Sequence, residues 1–153
     1  MANLYQPVKP SINFPEQEQS ILGKWEKEKT FEQTLKATQE APFYSFYDGP
    51  PFATGLPHYG HLMAGIQKDI VPRYWTMRGY HVPRRFGWDC HGLPVEHEIN
   101  KAHKIESAAQ VKKMGVAKYN DLCRSIVKRY TAEWETTVKR IGRWVDMKNA
   151  YYT

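Results

Sequence analysis

The chain has 153 residues and carries 22 Lys and Arg against 16 Asp and Glu, a net charge of +6. At 41% apolar and 14% aromatic it is too rich in core-forming side chains to be disordered, and no stretch reaches the roughly 18 apolar residues of a membrane span. Two cysteines, Cys90 and Cys123, exclude a disulfide framework, and the start MANLYQPVKP resembles neither a secretory signal nor a transit peptide. The expectation is a soluble, reduced, intracellular protein of about one domain in length.

The basic excess is unevenly spread. Residues 1–110 balance twelve bases against twelve acids, whereas residues 111–153 hold ten bases (among them Lys112, Lys113, Lys128, Arg140 and Arg143) against four acids. Two readings stay open: contact with a polyanion, or a solvated helix face whose balancing acids lie elsewhere.

Pro15 with acids behind it predicts a helix carrying Ile21, Leu22 and Trp25 on one face. Thr30 and Gln33 have the spacing of a capping box for a second short helix. The aromatic run 43–47, bounded by Pro42 and Asp48-Gly49-Pro50-Pro51, reads as a buried strand. A Gly- and Pro-rich loop follows. Leu62, Ile66, Ile70 and Tyr74 then recur every four residues, with Lys68, Asp69 and Arg73 on the other face, so an amphipathic helix is expected with its apolar stripe inward. Pro72 should kink or end it. Tyr80-His81-Val82 reads as a second strand, which completes a βαβ unit and implies a parallel sheet. The remainder is expected to be helical, with Tyr119, Leu122, Ile126, Tyr130, Val138 and Ile141 marking one long helix.

Ligands of such sheets bind beyond the carboxyl ends of the strands. Two unusual segments fall there, DGPPFATGLPHYGH (48–61) and GWDCHGLPVE (87–96). The first leads to a helix start near Gly60, where backbone N–H groups and the helix dipole favour a phosphate. Gly60 would admit a flat ring close to the backbone. His58 and His61 could hold phosphate oxygens there, or could simply cap the turn. Asp89 could bind a substrate ammonium, or form a turn or helix cap. The Cys90-His91 pair lacks metal-ligand spacing, and no zinc-protease helix surrounds His97, so no protein-bound metal is expected.

Together these two segments resemble the class I aminoacyl-tRNA synthetases: His58-Tyr59-Gly60-His61 is similar to their first signature, His-x-Gly-His. The segment 87–96 is similar to that of the isoleucine-specific branch. Tyr59 is a small departure, lying where an aliphatic residue is frequent. The resemblance implies an α/β fold, the first part of a Rossmann-like parallel-sheet nucleotide-binding domain preceded by short N-terminal helices. On that basis residues 1–40 form a helical extension, and 41–153 the first half of the catalytic domain, stopping before the family's editing insertion. It further implies activation of isoleucine by ATP with Mg2+ and transfer to tRNA(Ile), by a cytoplasmic enzyme that is monomeric when full length. Carried over, His58 and His61 would act in catalysis on the ATP phosphates, Gly60 would pack against adenine, Pro50 would line the amino-acid pocket, and Asp89 would bind the ammonium. The family's second, lysine-rich signature is missing from residues 97–153, so the fragment alone is expected to be inactive. Alternatives are a non-catalytic binding module that keeps the fold, a valine- or leucine-specific relative, and a metal-dependent hydrolase.

Overall fold

A computed structural model describes residues 10–52, 54–127 and 129–153. The first nine residues of the expected extension, and Lys128 of the basic set, lie outside the described residues. Helix α1 (Phe14–Glu28) starts as its sequence predicts, with Asn13 Oδ1 accepting from the Glu16 N–H at 3.4 Å and Pro15 in the first turn. It ends at Lys29 in the left-handed region (φ 50°), and α2 (Thr30–Ala37) begins at once. The expected capping box does not form. Thr30 is already helical, and Gln33 Nε2 instead donates to the Glu28 carbonyl at 2.6 Å, across the joint between the helices.

The parallel architecture is present, but its strands are displaced from the expected places. Residues 43–47 are extended without being a buried strand: Phe43 and Tyr47 are exposed, and pairing is limited to isolated parallel bridges, Phe43 to His81 and Phe52 to Asp89. The regular strand β1 is Arg85–Trp88, later than Tyr80-His81-Val82: Val82 is fully buried, but His81 makes only an isolated bridge, and continuous pairing begins at Arg85. It pairs in parallel with β2 (Asp146–Tyr152), a strand in a region expected to be helical. Segment 80–89 thus runs between 42–52 and 146–152, and spatial order follows chain order as in one half of a doubly wound sheet. At the β1–β2 pairing the Tyr151 ring lies over Gly87, where any Cβ would collide with it. The Tyr151 hydroxyl thereby crosses β1 and donates to the Asp48 carbonyl.

Helix α3 (Tyr59–Met77) joins the first two extended segments and continues past Pro72, so proline does not end it. Its orientation reverses the expectation. Met63, Ile66, Ile70, Tyr74 and Met77 are exposed, whereas Gly65 and Pro72 are buried and Lys68, Asp69 and Arg73 bond to the rest of the chain.

After α4 (Leu93–His103) come α5 (Ala108–Met114), α6 (Val116–Val127) and α7 (Thr131–Arg140), so the expected single long helix is broken near residue 129. The break lets the stripe serve two places. Tyr119 of α6 packs with Ile99 and Ile105, whereas Val127, Trp134 and Val138 pack with Phe86 and Trp88. A straight helix could not face both. The extension docks through aromatic rings: Trp25 meets Trp144 edge-on at 5.2 Å, and the Arg73 guanidinium lies 3.7 Å from the centre of the Trp144 ring.

Candidate functional site

His58 is the residue before the first turn of α3, and its Nδ1 accepts from the Gly60 N–H at 3.1 Å. His61 reaches back in turn: its Nδ1 accepts from the His58 N–H at 3.2 Å. The two rings stack with centroids 3.7 Å apart. This is a reciprocal cap with imidazoles in place of the usual hydroxyl and carboxylate. In each neutral ring an accepting Nδ1 leaves the proton on Nε2, so both keep one donor for a ligand oxygen. Burial, reinforced by His58 and Lys68, holds the His61 imidazole below its ordinary value of 6.5, which favours that neutral form. His58, Tyr59 and Gly60 are exposed, so the helix start opens to solvent.

The second segment approaches the first at the strand ends. The Asp89 N–H donates to the Pro51 carbonyl at 2.9 Å, beside half-buried Pro50. The Asp89 carboxylate accepts from the Thr153 hydroxyl at 3.2 Å, and the helix behind it is capped by Gly92 rather than by Asp89. Cys90 donates its thiol to the Trp88 carbonyl, and burial together with Asp89 pushes its pKa up, so it is no ready nucleophile. His97 and Glu96 line a separate open cleft of about 430 Å3 along α4. Among the described residues no three His, Cys, Asp or Glu side chains converge as a metal site, and no helix is long and apolar enough to cross a membrane.

A residue that the sequence reading passed over organises the whole corner. Asp48, only 2% exposed, receives Lys68 at 2.8 Å and Arg143 at 2.7 Å, while its carbonyl takes the Tyr151 hydroxyl. One carboxylate thus ties the first segment to α3 and to the turn before β2. No local signal marks it, since the cation of its buried pair, Arg143, lies 95 positions away in sequence. Arg143 therefore belongs to this buried pair, and Arg140 pairs with Glu18 of α1 at 2.8 Å. Balancing acids for part of the basic segment do lie elsewhere in the chain. Lys112 and Lys113 occupy the last turn of α5, where their charge suits the helix dipole.

Comparison with known proteins places these features. The family model described as tRNA synthetases class I (I, L, M and V) matches residues 20–153. The chain is 69% identical over 149 residues to an isoleucine–tRNA ligase of Bdellovibrio bacteriovorus, covering 97% of this chain and 14% of that protein. It is 56% identical over 150 residues to a cytoplasmic isoleucine–tRNA ligase of Mus musculus, covering 98% of this chain and 12% of that one. The chain therefore spans about one-seventh of the length of these relatives. Among solved structures, a LeuRS–tRNA–LeuAMS ternary complex from Agrobacterium radiobacter K84 superimposes with a TM-score of 0.54 at 22% identity, over 89% of this chain and 15% of that one. That likeness supports the Rossmann-like fold.

Proposed function

The chain belongs to the class I tRNA synthetase family, and from that premise we propose that it is the amino-terminal portion of a cytoplasmic isoleucine–tRNA ligase. Residues 1–40 are its helical extension, and 41–153 are the first half of its catalytic domain. The full-length protein, a monomer, uses isoleucine, MgATP and tRNA(Ile). The isoleucine carboxylate attacks the α-phosphorus of MgATP and expels pyrophosphate. The ribose 2′-hydroxyl of the terminal tRNA adenosine then takes the aminoacyl group from the adenylate, and AMP leaves.

This chain's part is positioning and electrostatics rather than nucleophilic attack. The reading rests on the reciprocal cap at the start of α3: two adjacent imidazoles with Nε2 donors turned to a ligand, at a helix N-terminus beyond the end of an extended segment bridged in parallel to residues 81 and 89. His58 and His61 turn those donors to the phosphate oxygens and neutralise charge as it builds on the departing pyrophosphate. Gly60, which lacks a side chain, lies flat against adenine. Pro50 walls the amino-acid pocket, and Asp89, at the adjacent strand end, pairs with the substrate ammonium.

Pyrophosphate exchange into ATP by the full-length protein tests this. Exchange should depend on isoleucine, and changing His58→Ala and His61→Ala together should cut it by about 100-fold or more. Exchange at full rate in the double variant overturns the roles of the histidines. Exchange driven by valine or leucine instead reassigns the substrate, and exchange with none of the three leaves a binding module.

A further inference from the structure

Trp134 lies in the middle of α7, is 4% exposed, and touches three separate parts of the site. Its indole N–H donates to the Gly55 carbonyl at 2.8 Å. Its ring meets His61 edge-on at 4.8 Å, and it meets Trp88, the last residue of β1, at 5.7 Å. Asp89 follows Trp88 directly. A Phe or Leu could fill the same core, but neither could bond Gly55. Losing that bond would leave the Gly55 carbonyl to water and free the turn that leads into the capped histidines.

We propose that Trp134 is a positioning residue for the nucleotide-phosphate site, holding the Gly55 turn by its N–H and the His61 ring by its edge. The inference rests on the reading of His58 and His61 given above. Trp134 reaches no substrate itself. Its indole fixes where α3 begins and which way the His61 ring lies, so that His61 Nδ1 stays on the His58 N–H and Nε2 stays free. Its contact with Trp88 is through the ring, which Trp134→Phe keeps, so Asp89 holds its place at the end of β1.

The test is steady-state pyrophosphate exchange by the full-length protein, comparing wild type with Trp134→Phe. Loss of one positioning hydrogen bond should raise the KM for MgATP by about three- to tenfold, with the KM for isoleucine unchanged. A residue that merely fills the core would lower the melting temperature and leave both KM values alone, and that result overturns the inference. So does an equal rise in both. Should Trp134→Phe fail to fold, benzothienylalanine at position 134 keeps the bicycle and removes only the N–H. It must reproduce the selective rise for the inference to stand. Wild-type protein that exchanges no pyrophosphate removes the underlying reading, whereas active wild type with an unaltered KM in the variant removes only the role of Trp134.

Discussion

The two faces of α3 carry opposite chemistry and opposite neighbours. Inward, Lys68 reaches Asp48, Asp69 accepts from the Trp144 N–H at 3.0 Å, and Arg73 donates to the Gly142 carbonyl at 2.5 Å while lying on the Trp144 ring. Outward, Met63 (62% exposed), Ile70 (60%) and Met77 (80%) face solvent. A helix normally buries its apolar stripe because the hydrophobic effect outweighs most polar contacts. Here the polar face is held because each charge finds a partner on a different segment. Directional bonds, rather than area, decide which way the helix turns, and the apolar stripe remains available for further covering.

Removing Asp48 strikes the inward face hardest. Asp48→Ala leaves Arg143, whose side chain is 6% exposed, without its carboxylate, a loss of about 3–5 kcal/mol for a buried pair. Hydrogen exchange in the full-length protein should accelerate by about a hundredfold or more in peptides spanning residues 48–61 and 140–146. Unchanged exchange would mean that the ion pairs do not orient α3.

A charge on the outward face sharpens the contrast. Ile70→Lys should lower light scattering by the isolated chain, which is expected to aggregate and to melt without a sharp transition. In the full-length protein the same change should destabilise by about 1–3 kcal/mol if other segments cover the stripe. No loss of stability there would show the stripe to be solvent-facing throughout.

The smallest effect is one of pH. Folding holds the His61 pKa below 6.5, so the unfolded chain binds more protons in that range and stability rises with pH. The contribution of His61 is complete above 6.5 and is lost as pH falls from there through the lowered folded value. His61→Gln should flatten the pH dependence of the melting temperature in that window. A slope identical to wild type would place the titration elsewhere.

Short-range chemistry was legible and long-range pairing was not. The Pro15 start of α1 and the position of α3 follow from contacts within a few residues. The parallel order followed from the alternation of elements. The strand limits did not, because β1 exists where β2 lies beside it, and Asp146–Tyr152 has no clean alternation to announce that. The α3 orientation failed for the same reason: Asp48, Arg143 and Trp144 are distant in sequence, and their partners are visible only once the chain is folded. At the site, the motif pointed to His58 and His61 together, and the structure adds that each caps the other. Trp134 carries no local mark at all, since its N–H finds a carbonyl 79 positions away.

Gly87 gives the corner a built-in gauge of spacing. Because the Tyr151 ring occupies the place of a side chain there, β1 is thin at one point and a hydroxyl from one neighbouring strand can reach a carbonyl on the other side. Alanine at position 87 would add one methyl group, yet that methyl would lift the ring, break the tether to Asp48 and widen the gap between the two outer segments. The mutational tolerance of this region is thus set where no functional group stands, and a change of a single carbon would be felt from β2 across β1 to Asp48.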